Sequence, residues 1–330
     1  MPAASPRWSD ASCLSNRTRY DGKESRLDDR VLRIMMQVRS PVDWFAKRYH
    51  VLLLRRALGR CFEILRYAVV HPRKMQRFHV VSAQRNMGDV AVNCLQSVYD
   101  QKYPSDLFRH IFIDDASTDD TATLVEAWLL DHPDHRVEFI RRSDRLGMLA
   151  NNLKGFELAE EDSVGIELNG DDWLPDPGVL RFLNKVYSGE DVWMTYNTLR
   201  QTDATILFQV PPPRAVRRNR SFRQEPWTTS HLRTFRVVLY LLIPDQHFKD
   251  PTTGNFWEMA PDMAVYLAML EMAGEHARHI YRITCTYHPH AMSEHIRDRA
   301  GQLAADQRIR ELTPCEPLGN LSPSSSAASS

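Results

Sequence analysis

The chain has 330 residues, which is enough for one large domain or two smaller ones. Its 42 lysines and arginines balance its 42 aspartates and glutamates, so net charge predicts no preference for acidic or basic partners. Five scattered cysteines without a C-x-x-C pair argue against a disulfide framework and for a reducing compartment. The first thirty residues hold no apolar signal-peptide core, and no run reaches the ~20 apolar residues that cross a bilayer. We therefore predict a cytoplasmic protein.

The N-terminal part is predicted to contain a disordered segment, residues 1–27, and a basic helical extension, residues 28–76. Between Arg30 and Arg77 there are twelve lysines and arginines and two acidic residues. An apolar stripe at helical spacing runs along the second half of the extension: Val51, Leu54, Leu58, Phe62, Leu65 and Val69. Two interpretations are open. Residues 28–70 contact the cytoplasmic face of an anionic membrane, or the helix packs on the next domain with its arginines in water.

Three apolar runs of the chain each end in polar residues. They are Phe78–Ala83 before Gln84-Arg85-Asn86, His110–Ile113 before Asp114-Asp115, and Val164–Leu168 before Asn169-Gly170-Asp171-Asp172. Helical patterns between the runs predict parallel strands, whose carboxyl ends form the ligand-binding edge of an open sheet. The adjacent carboxylates of Asp171 and Asp172 are tolerated if they are solvated, if one is protonated, or if a hard cation binds them. The alternative is a solvated turn with a helix cap.

The rest of the chain continues the alternation of elements. We predict helices at residues 86–101, 122–130, 148–158, 231–243, 261–274 and 297–312, and strands at residues 137–140, 191–197, 206–210 and 280–287. The arginines between residues 214 and 223 predict an irregular basic loop that is solvated, closes over a diphosphate, or binds an anionic acceptor. Nucleic-acid binding is not expected, because only Phe222 supplies a stacking aromatic there. Residues 313–330 are predicted to be a disordered Ser-rich tail.

The order of these motifs resembles a family 2 glycosyltransferase with the GT-A fold, in a bacterial and viral branch of the family. The resemblance rests on VVSAQRN, IFIDDASTDDT, the turn from Gly147 to Asn152, IELNGDDWL, HLRTF and PDMAVYLAMLEMAG. For residues 77–312 it implies a three-layer α/β/α sandwich with a mostly parallel central sheet. It also implies transfer of a hexose from a nucleoside-diphosphate sugar, specifically a UDP sugar, to a hydroxyl of a glycan, lipid-linked or protein acceptor, as in cell-wall or glycan biosynthesis.

The resemblance also implies roles for individual residues. It implies nucleotide-sugar contacts from Ala83, Arg85, Asn86, Asp115, Ser117, Asp144, Arg145, Gly147, Asn151, Asn169, Gly170 and Asp172. It implies Mg²⁺ or Mn²⁺ on the diphosphate, bound by Asp171 with His288 as a further ligand. Asp262, at the start of a predicted helix, would take the proton from the acceptor hydroxyl, and the anomeric configuration would invert.

Two positions depart from the family pattern. Asn169 stands where the family usually has Asp, which removes one negative charge and should weaken binding of a divalent ion. Tyr287-His288 stands where Tyr-Asn is common, and His290 and His295 lie close by in sequence, without zinc-site spacing to a cysteine or carboxylate. Two alternatives therefore stay open: a catalytically inactive nucleotide-sugar-binding or scaffold protein, and a peripheral membrane protein that acts through its basic helices.

Overall fold

The structure is a computed structural model that describes residues 41–72, 74–133, 136–189, 191–207, 211–227, 229, 231–289 and 298–321. The chain divides into two compact units, Met1–Leu58 and Gly59–Ser330. The predicted disordered segment 1–27 lies outside the described residues, as do His290 and His295. The domain boundaries expected after residues 27, 76 and 312 stay predictions.

The described residues form helices and strands that alternate along most of the chain. The helices are α1 (Pro41–Ala68), α2 (Val90–Tyr99), α3 (Thr121–Asp131), α4 (Met148–Glu157), α5 (Val179–Gly189), α6 (Arg214–Asn219), α7 (Val237–Leu241), α8 (Pro261–Ala273) and α9 (Arg299–Glu311). The strands are β1 (Phe78–Gln84), β2 (Phe108–Asp114), β3 (Val137–Arg141), β4 (Val164–Glu167), β5 (Met194–Asn197), β6 (Leu199–Gln201), β7 (Ile206–Leu207), β8 (Arg233–Arg236), β9 (Ala277–Ile280) and β10 (Thr286–Tyr287).

The main sheet has seven strands in the order β3-β2-β1-β4-β8-β5-β9, and β10, β6 and β7 form a smaller sheet. Strands β3, β2, β1 and β4 pair in parallel, whereas β8 runs antiparallel between β4 and β5. Side chains of β1 alternate between two buried clusters, with Phe78 and Val80 in one and Val81 and Ala83 in the other. Helices α2, α3 and α5 supply the first cluster and α4, α7 and α8 the second. The predicted three-layer α/β/α sandwich is confirmed.

The helix predicted at residues 231–243 is wrong in its first half. Arg233–Arg236 forms β8 in the centre of the sheet, and only Val237–Leu241 is helical. A short apolar run predicts burial, but it does not distinguish a buried helix from a buried strand. Pairing with β4 on one side and β5 on the other satisfies the backbone of this segment and decides the outcome.

Three other expectations also change. Arg214–Asn219 is a helix rather than an irregular loop, and the strand expected at residues 280–287 is divided between β9 and β10. Arg223, in the arginine run expected to be exposed to solvent, is only 9% exposed. Its guanidinium instead forms an ion pair with the buried carboxylate of Glu271, with Nη2–Oε2 at 3.0 Å. Pairing with a distant carboxylate, which the local sequence does not predict, is what makes this burial tolerable.

Within the unit Gly59–Ser330, the end of α1 packs against the rest of the unit through one side. Glu63 is 7% exposed and accepts hydrogen bonds from the backbone N–H groups of Tyr281 at 2.9 Å and Arg282 at 2.7 Å. Gly59 lies so close to the Tyr281 ring that a Cβ there would be 2.5 Å from it. Among the helices that the structure describes, none has the length and apolar content needed to cross a membrane.

Candidate functional site

In the turn after β4, the backbone of Gly170 closely approaches the side chain of Gln84. Gly170 follows the strand, and a Cβ at this position would lie 2.2 Å from Gln84 Oε1 at the end of β1, so only glycine fits there without a shift. The Asp172 N–H donates to Asn169 O at 3.0 Å and closes the turn. Asn169 and Asp171 are partly exposed at this edge, whereas Asp172 is fully buried.

Asp172 is a buried carboxylate with one unsatisfied oxygen. Its Oδ1 accepts a hydrogen bond from the His288 backbone N–H at 3.0 Å, while Oδ2 is buried without a hydrogen-bond partner. His231 Nδ1 lies 3.7 Å from that Oδ2. Burial, and then the charge of Asp171, raise the pKa of Asp172 well above its usual value. A cation beside the two carboxylates would oppose both effects.

Asp115, at the end of β2, binds the loop that precedes α4. Its Oδ1 accepts from Leu146 N at 2.7 Å and from Asn151 Nδ2 at 2.7 Å, and its Oδ2 accepts from Gly147 N at 2.9 Å. The carboxylate is 4% exposed, so these bonds also compensate its burial. Asp115 therefore links two loops of the sheet edge, and its expected contact with the nucleotide stays a prediction.

The loops after β1 and β2 are hydrogen-bonded to each other. Asn86, with a left-handed φ of 56°, donates its N–H to Ser117 Oγ at 2.9 Å, and its Oδ1 accepts from Thr118 N at 2.8 Å. Arg85 Nε donates to Ala116 O at 3.2 Å. These bonds bring Arg85, Asn86 and Ser117 together at the carboxyl edge, as their positions after adjacent parallel strands predict. Ala83 is a buried residue of β1 just before this loop.

The loop between β3 and α4 supplies the remaining residues of the predicted nucleotide-sugar set. Gly147 precedes α4 with a φ of 86°, a left-handed conformation that favours glycine. Asn151 lies one turn into that helix and is buried against Asp115. Asp144 and Arg145 are exposed beside it, and Asp144 accepts a hydrogen bond from Ser143 Oγ. Their exposure leaves both side chains accessible to a ligand, and their roles stay predictions.

Arg233 holds Asp262 at the start of α8. The guanidinium is 2% exposed, and its Nη2 donates to Asp262 Oδ2 at 2.6 Å. Its Nη1 lies 3.4 Å from Glu167 Oε1, and its Cζ lies 4.5 Å from the centre of the Tyr266 ring. Burial opposes the charged form of Arg233, but the Asp262 and Glu167 carboxylates and the Tyr266 side chain outweigh it and raise the pKa. The Asp262 side chain remains 27% exposed, so a ligand can reach it.

Two groups of polar contacts lie at this edge of the sheet. In one of them, Asp115 binds Asn151 of α4. In the other, Glu167 pairs with Arg233, which binds Asp262. Asp171 and Asp172 lie four and five residues beyond Glu167 on the same edge. Asp115 and Asp171 therefore follow the carboxyl ends of the parallel strands β2 and β4, and Arg233, opposite Glu167, holds Asp262 beside the end of β4.

The described residues contain no group of three or more His, Cys, Asp or Glu side chains arranged to hold a metal ion. Asp171 and Asp172 do form a carboxylate pair with an unsatisfied buried oxygen. His288 is tied to Asp172 through its backbone, and its ring centre lies 5.9 Å from that of Trp173. Mg²⁺ and Mn²⁺ are commonly held by one or two carboxylates plus substrate phosphates, so this pair suits such an ion once a diphosphate is present.

Residues 80–239 match the family model described as glycosyl transferase family 2. This segment belongs to that family, and the chain carries a glycosyltransferase domain of the GT-A fold. The match contains Asp115, Asp171, Asp172 and Arg233 but ends before Asp262. The more specific bacterial and viral branch stays a prediction. No curated protein sequence matches the chain at a significant level.

Two solved structures are similar to this chain in fold. The mannosyltransferase PcManGT from Pyrobaculum calidifontis, in complex with GDP-Man and Mn²⁺, has a TM-score of 0.52 at 20% identity, covering 83% of this chain and 76% of that one. S. aureus TarS 1–349, in complex with UDP, has a TM-score of 0.50 at 14% identity, covering 71% of this chain and 64% of that one, which is less than two thirds of its length. At these identities the likeness shows the fold alone.

The sequence interpretation missed Glu167 and the role of Arg233 as its partner. Each is a charged residue on a strand that is otherwise buried, and this is a signal that a partner is needed. The two lie directly opposite each other where β4 and β8 pair. Because residues 231–243 were expected to be helical, the pairing was not visible from the pattern.

Proposed function

We propose that this protein is an inverting glycosyltransferase that moves a sugar from a nucleoside-diphosphate sugar, specifically a UDP sugar, to a hydroxyl acceptor. The acceptor would be a glycan, a lipid-linked saccharide or a protein hydroxyl. The observation that supports the proposal is that Asp115 and Asp171 lie at one sheet edge within the family 2 match, where ligands of open α/β sheets bind, and that Arg233 holds Asp262 beside the same edge.

The donor would bind across the ends of β1, β2 and β4. Arg85, Asn86 and Asp115 would offer hydrogen-bonding groups to the base and ribose, and Arg145, which is exposed, would pair with phosphate oxygens. Asp171, with Asp172 behind it, would hold Mg²⁺ or Mn²⁺. When bound, such an ion neutralises the charge that develops on a departing diphosphate.

Asp262 would accept the proton of the acceptor hydroxyl. Its Oδ2 is fixed by Arg233 at 2.6 Å and its Oδ1 accepts from Met263 N at 2.9 Å, so the carboxylate has a defined orientation while staying partly exposed. A carboxylate oxygen retains further lone pairs for an incoming hydroxyl. Attack by that hydroxyl from the face opposite the leaving diphosphate would invert the anomeric centre.

The proposal is tested with the purified full-length chain, a panel of UDP and GDP sugars, Mn²⁺, and simple saccharide acceptors. We expect donor-dependent transfer that Asp262→Asn lowers by at least about 100-fold, since a positioned general base contributes about 10²–10⁴. Thermal stabilisation by the donor should persist in this variant, because Asp262 would act on the acceptor. Asp176→Asn is the matched control, since Asp176 also pairs with an arginine, at 2.7 Å, but with Arg282 beside Phe182 and not with Arg233.

A second candidate is a nucleotide-sugar-binding protein without transferase activity. Asn169 in place of the family's usual Asp favours it, because one negative charge fewer weakens binding of a divalent ion. Donor-induced thermal stabilisation with no transfer or hydrolysis in the wild type would support this candidate and refute the transferase proposal. Absence of stabilisation by every donor would refute both.

A further inference from the structure

The C-terminal half of α1 has two unlike sides. Glu63 and Tyr67, four residues apart, are 7% and 5% exposed and face the domain. Phe62 and Leu65, which helical spacing places on the opposite side, are 72% and 67% exposed, and Val69, just past the helix, is 74% exposed. Phe62, Leu65 and Val69, the part of the apolar stripe that lies in this unit, therefore do not pack against the domain.

The exposed apolar side chains are concentrated on this helix. In the described part of the unit Gly59–Ser330, ten large hydrophobic side chains are exposed, and four of them lie within residues 62–69. They are Phe62, Ile64, Leu65 and Val69. Single exposed hydrophobic residues need no explanation, but a contiguous group marks a surface that binds something apolar.

The charges beside the stripe are positive. Arg60 and Arg66 are exposed on the same helix, and the Arg66 guanidinium lies 6.0 Å from the centre of the Tyr67 ring. Glu63, the one acidic residue between Gly59 and Pro72, is buried and satisfied by two backbone N–H groups. The exposed surface of this segment is consequently apolar, with exposed arginines beside the apolar side chains.

We propose that residues 59–70 dock the protein on an anionic phospholipid surface. Phe62, Leu65 and Val69 enter the boundary between headgroups and acyl chains, and Arg60 and Arg66 pair with lipid phosphates. An anionic phospholipid matches both features of this surface. Its acyl chains accept the apolar side chains, and its phosphates attract the guanidinium groups beside them. The sequence predicted possible membrane contact anywhere within residues 28–70, and we now propose it for residues 59–70.

The test is flotation of the full-length protein with vesicles of phosphatidylcholine, with and without phosphatidylglycerol. We expect flotation only with the anionic vesicles, weakened by salt. Phe62→Ser/Leu65→Ser should lower partition by at least about tenfold, because it removes two buried apolar side chains from the bound state. Arg60→Gln/Arg66→Gln should lower it by about fivefold for each arginine.

The matched control is Leu130→Ser/Leu303→Ser, which removes two helical side chains that are 83% and 56% exposed elsewhere. It should float like the wild type. All variants change exposed positions, and unchanged melting temperatures confirm that they are folded. The proposal is overturned if the wild type does not float with anionic vesicles or if the control loses as much binding as Phe62→Ser/Leu65→Ser. Sedimentation showing a dimer that the same double variant dissociates would assign the stripe to a second copy of the chain and also overturn it.

Discussion

Replacement of Arg233 by Gln is the strongest stability test of the site. Arg233 is 2% exposed and is the cation between Glu167, 4% exposed, and Asp262, 27% exposed. Its removal leaves Glu167 buried beside a second carboxylate without compensation. Breaking a buried ion pair from one side costs about 3–5 kcal/mol, and the lost contact with the Tyr266 ring adds to this. We expect the free energy of unfolding at pH 7 to fall by about that amount.

Urea unfolding measures the loss, and two further variants define its cause. Arg282→Gln breaks a half-exposed pair with Asp176, at 2.7 and 2.9 Å, and should cost less than about 1 kcal/mol. Glu167→Gln/Arg233→Gln should recover part of the stability that Arg233→Gln loses, because the buried carboxylate is gone. A double variant no more stable than the single one would contradict this explanation.

The penalty should also depend on pH. Burial already raises the pKa of Glu167 above its usual 4.5, and Arg233 opposes that rise. Without Arg233 the folded-state pKa rises further, so the folded state keeps a proton that the unfolded state releases. Stability of Arg233→Gln therefore falls, relative to the wild type, as pH rises from about 4.5 toward neutrality. A penalty that is the same at about pH 5 and pH 7 would refute the reasoning.

Three other predictions concern single contacts. Asp115→Ala leaves three donors near α4 without their acceptor and should cost about 1–3 kcal/mol in urea unfolding, with the loop at residues 146–147 gaining hydrogen exchange. Gly170→Ala places a Cβ 2.2 Å from the Gln84 side chain and should cost about 1–3 kcal/mol, and this cost should be smaller in a Gln84→Gly background, which removes every contacting atom; an equal cost in that background would contradict the clash. Burial lowers the pKa of His110 from 6.5 to about 3, so between these pH values the folded state binds fewer protons than the unfolded state, and stability is lost as pH falls below 6.5. Between pH 6.5 and pH 5, the free energy of unfolding of His110→Gln should fall by about 2 kcal/mol less than that of the wild type. Equal losses in the two proteins would disprove this prediction.

Local periodicity was sufficient for most of the fold. The strands β1, β2 and β4, and the helix that begins at Pro261, were predicted within a few residues of their observed bounds. Because parallel strands place their carboxyl ends on one edge, the polar residues after these strands could be assigned to one site without coordinates. Two adjacent aspartates there were compatible with a bound cation, but the diphosphate was implied only by the resemblance to the family.

The partners of the charged side chains were decided by tertiary structure. Arg233 and Glu167 are 66 residues apart in sequence, and only the antiparallel register of β8 and β4 places them opposite each other. Tertiary structure also decides the partners of Asp115, whose carboxylate oxygens accept hydrogen bonds from the backbone of a loop more than thirty residues away in sequence. A charged residue in an apolar run indicates that a partner is needed, but the local sequence does not identify that partner.

The helix α1 shows most clearly which features the sequence determines and which features the tertiary structure determines. Its sequence determined a helix with an apolar stripe and arginines beside it, and that pattern is equally suited to packing inward or to binding outward. The side that docks was decided by Gly59, which allows the Tyr281 ring to approach, and by Glu63, which accepts two backbone hydrogen bonds. Amphipathicity fixes which residues share a face of a helix, whereas the shape and donors of the neighbouring surface fix which face is buried.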